Sequence, residues 1–535
     1  MVLPVPGLNL YAHPAPPSVL RGLQVDHREE TRHAPLLLIF DLAGRDTTQG
    51  SPQQMSASFP SRPEPLGSGR LNARNSSLPG ETTASQTAWN GWLAGFLIVV
   101  ITAVLIGPLL AGDLRPLQAG LFLLGLYILK VTAAAMWSTR IRRRPSTLGP
   151  LPFVSVLIPA RNEEHVIATT VAEVAAQDYR GPDDHPRFEI LAIDDASTDE
   201  TGAILATLAT RHDHLRVLTR TPIEGGGKAA ALNAALPHCR GDVIVVFDAD
   251  ILIAPDFLKT LIAALDPSVA GVQARVRIYN RNAHQLAACQ DDEFAAFHKV
   301  MQLGRDALDG AVGLGGQGQA VWASALRQVG GWHIGASTED LDLTVRLVLA
   351  GFRVRFCPEA VVWQEGVTNF PAFLRQRRRW AAGNLRVCFA YLWPLLRGRV
   401  ALRRRLDYAM YLVSLLTPFW ILLSYLVMNL RQVFNPERPL ALAPIYIATS
   451  AVAYFPMLLL GLWGEVTRSP LDLVWRVVRL WGYSFLWIPI GLAALWQTLV
   501  VRTPVWDKTF HVGLQSESVP RERILVGQGA VDGDG

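Results

Sequence analysis

The sequence predicts a doubly wound α/β domain that is inserted between transmembrane α-helices. Two patterns support this prediction. Short apolar runs alternate with helical segments through the middle of the chain, and longer apolar stretches lie on both sides of it. Alternating strands and helices form a largely parallel sheet that helices cover on both faces. Stretches of about 20 apolar residues are long enough to cross a bilayer.

Four short apolar runs in the middle of the chain predict buried parallel strands. They are Val154–Ile158, Glu189–Ile193, Leu215–Leu218 and Val243–Phe247. Helical patterns cover Glu163–Ala176, Glu200–Arg211 and Lys228–Leu236. In such a sheet the ligand crevice lies outside the carboxyl ends of the strands. The residues that follow each strand are therefore the first candidates for a site.

Five apolar stretches predict membrane-spanning helices. They are Gly91–Gly112, Pro116–Trp137, Tyr408–Leu430, Leu440–Trp463 and Leu480–Val501. Arg142–Arg144 follow the second stretch and Arg403–Arg405 precede the third. Because short basic flanks stay in the cytosol, we expect a multi-pass protein of the cell (inner) membrane with a cytosolic middle domain. The net charge of +5 then reflects these flanks, and it implies no nucleic acid partner.

The chain divides into six predicted regions. They are a disordered leader at 1–88, two transmembrane helices at 89–139, a cytosolic domain at 150–385, an interfacial helix at 386–406, about three transmembrane helices at 407–501 and a polar tail at 502–535. The leader is rich in Pro, Ser and Gly and lacks sustained periodicity. The four cysteines have no CxxC spacing, so we expect reduced thiols and no zinc site.

Paired acids follow two of the predicted strands. Asp248-Ala-Asp250 comes directly after Val243–Phe247. Mg²⁺ and Mn²⁺ take oxygen ligands, often one or two carboxylates together with substrate phosphates. The pair therefore predicts a metal site at which a diphosphate leaving group is neutralised. A simple turn is the alternative, since Asp is common after strands.

A second acidic pair, Asp194-Asp195, follows the second predicted strand. Like charges at a strand end are costly unless a ligand or cation lies there, and a carboxylate can accept a hydrogen bond from a base or a ribose hydroxyl. Further along, a glycine-rich loop leads into a helix at Lys228. Free N–H groups and the helix dipole favour phosphate at such a point, although the Walker A spacing is missing.

Two charged motifs lie near the end of the domain. Thr338-Glu339-Asp340 precedes a predicted helix, where acids also stabilise the first turn. One of the two carboxylates can act as a general base while the other orients it. In Gln376-Arg-Arg-Arg379-Trp380, an arginine suits a pyrophosphate and the indole offers a flat face to a sugar. A membrane-surface patch is the alternative for this second motif.

In this order the motifs resemble those of the processive-type family 2 glycosyltransferases, the group of cellulose, hyaluronan, chitin and poly-N-acetylglucosamine synthases. The resemblance covers about Pro152–Gly383 and the flanking spans. It implies a GT-A fold, a doubly wound mixed sheet, that uses a nucleotide-diphosphate sugar, in the first instance a UDP-sugar, with Mg²⁺ or Mn²⁺. The segment Gly315–Trp322 departs from cellulose synthase and is closer to membrane glycolipid glucosyltransferases.

The resemblance also implies a role for each motif. Asp340 is then the catalytic base with Glu339 beside it, and Asp248 and Asp250 hold the diphosphate and the metal. The predicted donor-binding residues are Arg161, Asn162, Glu163, Asp194, Asp195, Lys228 and Asp248. The predicted acceptor and diphosphate residues are Gln376, Arg379 and Trp380. One base opposite one leaving group implies a single displacement that inverts the anomeric configuration.

Three functions remain open at this point. The first hypothesis is a membrane-bound synthase that extends a polysaccharide through a β-glycosidic bond, with or without accessory export subunits. The alternative is transfer of one sugar to a membrane lipid, either diacylglycerol or a polyprenyl phosphate. A remote third reading is an inactive nucleotide-sugar sensor or scaffold, which the full set of acidic and basic groups opposes.

Overall fold

The computed structural model describes residues 115–138, 151–222, 226–266, 268–434 and 453–500, together with parts of 92–107. The predicted leader at 1–88 and the predicted tail at 502–535 lie outside the described residues. Parts of the first and fourth predicted spans also lie outside them.

The described part of the chain contains a mixed sheet of eight strands. They are β1 (Val154–Ala160), β2 (Phe188–Asp195), β3 (Leu215–Arg220), β4 (Val243–Val246), β5 (Leu252–Ile253), β6 (Val269–Ile278), β7 (Gln319–Trp322) and β8 (Arg353–Gln364). Their spatial order is β3-β2-β1-β4-β7-β6-β8-β5. Strands β1 to β4 are parallel, whereas β7 is antiparallel to both β4 and β6. The mixed α/β sheet predicted from the sequence is confirmed.

The helices of the described residues follow the strands and then continue beyond the sheet. They are α1 (Arg115–Ser138), α2 (Ile167–Ala175), α3 (Thr201–Ala209), α4 (Gly227–Ala235), α5 (Phe257–Ile262), α6 (Gln285–Ala296), α7 (Leu303–Ala307), α8 (Ala323–Gln328), α9 (Glu339–Leu349), α10 (Phe370–Arg397), α11 (Leu402–Ser414), α12 (Thr417–Phe434), α13 (Phe455–Leu462), α14 (Pro470–Ser484) and α15 (Trp487–Val500). A π-helical turn at Phe297–Gln302 joins α6 to α7.

The core lies on both faces of the sheet because successive side chains of a strand point to opposite faces. Val156 and Ile158 of β1 pack with Ile167 of α2 in one buried cluster. Leu157, between them, packs with Leu232 of α4 in a second cluster on the other face. The parallel register places Ala160 of β1 opposite Asp194 of β2. The ends of neighbouring strands therefore meet at one edge, where the predicted motifs lie.

Two of the element boundaries that differ from the prediction have clear local reasons. Strand β2 continues through Asp194 and Asp195 because these residues pair with β3, Asp195 lying opposite Arg220. Helix α2 begins four residues later than predicted, at Ile167. The N–H of Glu163 instead donates to the Thr201 hydroxyl at 2.8 Å, so this segment is held as a loop against the start of α3.

The C-terminal helices are more broken than the predicted spans. Among the described residues, the stretch Pro470–Val500 is long and apolar enough to cross a membrane by length and composition, and Phe122–Ser138 is a shorter apolar helix. The predicted span Tyr408–Leu430 includes the break between α11, which ends at Ser414, and α12. Pro418 has no backbone N–H to donate to the carbonyl of Ser414, four residues earlier, so the helix cannot continue regularly there. Helix α10 runs continuously through the predicted boundary between residues 385 and 386.

Candidate active site

A cavity of about 470 Å³ opens at the carboxyl ends of the central strands. Eleven of the predicted site residues line it: Arg161, Glu163, Asp195, Lys228, Asp248, Asp250, Glu339, Asp340, Gln376, Arg379 and Trp380. These residues come from segments up to 219 positions apart, which is the separation of Arg161 from Trp380. The fold therefore brings almost all of the site residues predicted from the sequence together in one cavity.

Two predicted donor-binding residues, Asn162 and Asp194, are not among the cavity-lining residues. Asn162 accepts a hydrogen bond from the Thr198 N–H at 2.7 Å, and Asp194 accepts one from the Ser197 N–H at 3.0 Å. Asn162 also has a positive φ of 54°. Both side chains therefore accept hydrogen bonds from the backbone of the loop after β2 and stabilise that loop beside the cavity.

Asp195 is fixed at the cavity by a neighbouring strand. Its carboxylate forms a buried ion pair with Arg220, which lies opposite it in the register of β2 and β3. Burial raises the pKa of the Asp195 carboxyl, and the charges of Arg220 and Arg161 oppose that rise. Arg220 was not predicted from the sequence, because no motif marks the residue that pairs with an acid across two strands.

Lys228, at the start of α4, connects two acidic segments and a glycine-rich loop. Its Nζ lies 2.5 Å from Asp248 Oδ1 and 3.4 Å from Glu339 Oε1, and it donates to the Gly316 carbonyl at 2.8 Å. Burial alone would lower the pKa of Lys228, but the charges of Asp248 and Glu339 raise it overall. The side chain is therefore a fixed positive charge in the cavity, beside the carboxylates that a diphosphate would approach.

The glycines before Lys228 set the direction of this side chain. Gly226 and Gly227 have φ values of 83° and 63°, a region that residues with a Cβ rarely adopt. The predicted glycine-rich loop therefore turns the chain sharply into α4, and residues 223–225 of it lie outside the described part.

Asp340 lies at the start of α9, where its carboxylate accepts a hydrogen bond from the Leu341 N–H at 2.8 Å. Burial raises the pKa of Asp340 to about 7, with a second contribution from the negative charge of Glu339. A carboxyl with a pKa near neutrality is well matched to accepting a proton from a hydroxyl group. The Thr338 side chain makes no capping hydrogen bond to the start of this helix.

Gly316 brings a loop against this carboxylate. A Cβ built on Gly316 would lie 3.2 Å from Asp340 Oδ2 and 3.5 Å from Lys228 Nζ. The close approach of this backbone encloses the acid between the glycine-rich segment before β7 and the start of α9.

Asp248 and Asp250 supply carboxylate oxygens to the same cavity. Asp248 faces Lys228, and Asp250 accepts a hydrogen bond from the Glu365 N–H at 3.1 Å. The described residues contain no group of three or more His, Cys, Asp or Glu side chains arranged for a metal ion. Two carboxylates nevertheless fit a hard cation such as Mg²⁺, which usually binds one or two of them together with substrate phosphates.

The helix α10 carries the motif that ends at Trp380. Gln376, Arg379 and Trp380 line the cavity as predicted residues. Arg377 between them was not predicted, yet it is 2% exposed and donates to Glu293 at 2.9 Å. A run of three arginines in the sequence does not reveal which of them turns inward.

Gln317 is a further cavity residue that the sequence did not single out. It is 2% exposed, and its side-chain oxygen has no hydrogen-bond partner among the described residues. Its backbone carbonyl accepts from Gln273 Nε2 at 2.9 Å, which holds the segment in place. The sequence signal for Gln317 is its position in Gly315–Trp322, the segment that departs from cellulose synthase.

Comparison with known proteins agrees with this geometry. A family profile described as glycosyltransferase like family 2 matches residues 151–383. The chain is 35% identical over 328 residues to a β-monoglucosyldiacylglycerol synthase of Nostoc sp., covering 61% of this chain and 68% of that protein. It is 27% identical over 249 residues to the poly-β-1,6-N-acetyl-D-glucosamine synthase of Staphylococcus epidermidis, covering 46% and 58% respectively.

A solved structure supports the fold. The mannosyltransferase of Pyrobaculum calidifontis aligns with a TM-score of 0.50 at 20% identity, covering 72% of this chain and 98% of that chain. The mixed sheet thus has the GT-A fold. The chain belongs to glycosyltransferase family 2, and the prediction of an enzyme of that family is confirmed.

Proposed function

We propose that this glycosyltransferase transfers one hexose from a nucleotide-diphosphate sugar to a diacylglycerol-type lipid at the cytosolic face of a membrane. The observation that carries this proposal is the 35% identity, over 68% of its length, to an enzyme named for placing one glucose on diacylglycerol. The relatives therefore favour the glycolipid alternative over the polysaccharide hypothesis.

The lining of the cavity suits an apolar acceptor. The segments at the sheet edge supply most of its charged residues, and α10 adds Arg377 and Arg379. The aromatic and aliphatic lining comes from Trp380 of α10, Tyr411 of α11, Trp487 of α15 and Leu415, which directly follows α11. A nucleotide diphosphate matches the charged lining, and a lipid whose single reactive group is a hydroxyl matches the aromatic and aliphatic lining. This division supports a lipid acceptor.

The proposed mechanism is a single displacement. Asp340 accepts the proton of the acceptor hydroxyl while the oxygen attacks the anomeric carbon. The bond from that carbon to the diphosphate oxygen breaks on the opposite side, so an α-linked donor gives a β-glycoside. Lys228 and Arg379 stabilise the negative charge that develops on the departing diphosphate, and Glu339 holds Lys228 in position.

Asp248 and Asp250 are the proposed ligands of Mg²⁺ or Mn²⁺. The mannosyltransferase of Pyrobaculum calidifontis was solved with GDP-Man and Mn²⁺, which supports a divalent ion in this fold. When bound, the ion would neutralise the diphosphate alongside Lys228. Arg161, Glu163 and Asp195 are the proposed contacts of the nucleotide, with Asn162 and Asp194 supporting their loops.

The proposed location is a multi-pass protein of the inner membrane with its catalytic domain in the cytosol. The basic flanks of the predicted spans support this orientation, and the apolar stretch Pro470–Val500 supports at least one crossing. Trp380, Tyr411, Leu415 and Trp487 would then face the side from which a membrane lipid arrives.

Polysaccharide synthesis is the second candidate, because the relative from Staphylococcus epidermidis is named as the synthase of a polymer, poly-β-1,6-N-acetyl-D-glucosamine. One experiment separates the two. The full chain in lipid nanodiscs containing diacylglycerol is given a panel of UDP- and GDP-sugars with Mg²⁺ or Mn²⁺, and both nucleotide release and products are measured.

A single lipid-soluble glycoside is the expected product, and it should disappear in Asp340→Asn. A ladder of water-soluble oligosaccharides would replace the glycolipid proposal with the polysaccharide one. Nucleotide release without any glycosylated product would exclude diacylglycerol as the acceptor, and the absence of release with every donor would favour the sensor or scaffold.

A further inference from the structure

The side chain of Glu293 joins four helices at the wall of the cavity. Glu293 belongs to α6 and lines the cavity. Its carboxylate accepts hydrogen bonds from Arg377 Nη2 of α10 at 2.9 Å, from the Tyr483 hydroxyl of α14 at 3.0 Å and from Trp487 Nε1 of α15 at 3.0 Å. No predicted motif contains this residue, and the mechanism above does not use it.

The partner of Glu293, Arg377, is enclosed by aromatic rings. Its guanidinium carbon lies 4.5 Å from the ring centre of Trp380 and 5.8 Å from that of Trp487. The rings of Phe373 and Phe294 lie at 5.2 and 5.6 Å. Buried charges are stable only when they are paired and hydrogen-bonded, and planar guanidinium stacks well on aromatic faces. Glu293 therefore holds the cation that orders these rings.

We propose that Glu293 is a positioning residue for the acceptor, acting through Arg377 on Trp380 and directly on Trp487. Both tryptophans line the cavity, and both are in contact with this one ion pair. The assignment of that wall to the acceptor rests on the proposed function. Loss of the carboxylate would let the two indoles turn and would weaken acceptor binding, while the charged donor residues on the sheet edge keep their contacts.

The neighbouring residue supplies a matched control. Asp292 also belongs to α6 and also reaches α14, where it pairs with Arg476 at 3.3 Å and with Arg479. It is fully buried and does not line the cavity. If Glu293 only docks the C-terminal helices, variants at Asp292 and Glu293 should behave alike. If Glu293 positions the acceptor wall, only the Glu293 variants should change the acceptor dependence.

The test measures initial rates in nanodiscs for Glu293→Ala, Glu293→Gln and Asp292→Asn, varying donor and acceptor separately. Because Glu293→Ala removes the charged acceptor of three hydrogen bonds, we expect it to raise the acceptor KM about tenfold. The donor KM should change by less than about twofold. Glu293→Gln keeps an oxygen that can accept from Trp487, so its effect should be smaller. Asp292→Asn should lower Tm without changing the acceptor KM.

Equal changes in both KM values, or the same behaviour at Asp292 and Glu293, would overturn the proposal. If Glu293→Ala does not fold, Trp487→Phe keeps a smaller aromatic ring and removes the indole N–H that donates to Glu293. It should still raise the acceptor KM alone, and an unchanged acceptor KM would count against the proposal. Absence of transfer to diacylglycerol by the wild type would reject the proposed acceptor instead. The variants would then be compared on whichever acceptor the wild type glycosylates.

Discussion

The two sides of the cavity are fixed by different means. On the sheet edge, strand register fixes the side chains, as when Asp195 of β2 lies opposite Arg220 of β3. On the helical side, no ladder connects the elements, and the contacts of Glu293 and Arg377 connect α6 with α10. The positions of the strand residues at the sheet edge therefore depend on backbone hydrogen bonds between strands. The shape of the helical side depends on a few side-chain contacts.

The largest effect should come from Asp340 on the charged side. Asp340→Asn removes the proposed base, and general base catalysis contributes about 10²–10⁴ in rate. We expect a loss of kcat of about 10²- to 10⁴-fold with nucleotide binding retained. Initial rates of transfer, together with nucleotide titration, check this outcome. Asp183→Asn, at an exposed position, is the matched control and should leave the rate unchanged.

The next effect concerns Lys228, the cation among the acids. Lys228→Met leaves Asp248 and Glu339 without their shared partner, and because this site is only partly buried, the loss is smaller than for a fully buried ion pair. We therefore expect a lower Tm and about a 10²-fold lower kcat/KM for the donor. Lys259→Met, at an exposed site of α5, should change neither. A Lys228→Met protein with normal donor kinetics would remove Lys228 from the proposed diphosphate site.

The pH dependence follows from the raised pKa of Asp340. Because the base must be ionised, the rate should rise about tenfold per pH unit below about 7 and level off above it. The stability has the opposite sign. Between the ordinary pKa of 3.8 and about 7 the folded state keeps a proton that the unfolded state has lost, so rising pH lowers the free energy of unfolding in that window.

The rate and the stability can be measured on the same samples. The free energy of unfolding, measured in urea, should fall with rising pH more steeply in the wild type than in Asp340→Asn, since the asparagine cannot titrate. A wild-type rate that is flat from pH 5 to pH 8 would contradict the assignment of Asp340 as the base.

The difference between the two sides also explains what the sequence could predict. Asp248, Asp250 and Asp195 follow apolar runs of period and length typical of buried strands, and the ends of parallel strands always meet at one edge. Glu293, Arg377 and Trp487 come together only when helices pack, and their spacing carries no periodic signal. The break between α11 and α12 was also missed, because apolar composition does not reveal how a helix ends.

The smallest predicted effect tests a polar residue near the boundary between the two sides. Gln317 presents a buried side-chain oxygen without a described partner, and a ligand hydroxyl would satisfy it. Gln317→Leu should lower kcat/KM about three- to tenfold, the worth of one net hydrogen bond. The same change should leave Tm unchanged or slightly higher, because it removes a desolvated polar group. Gln328→Leu, at an exposed position of α8, serves as the control. A fall in Tm with normal kinetics for Gln317→Leu would mean that the Gln317 amide stabilises the fold. The hydroxyls of the sugar and the acceptor would then be bound by residues of the sheet edge instead.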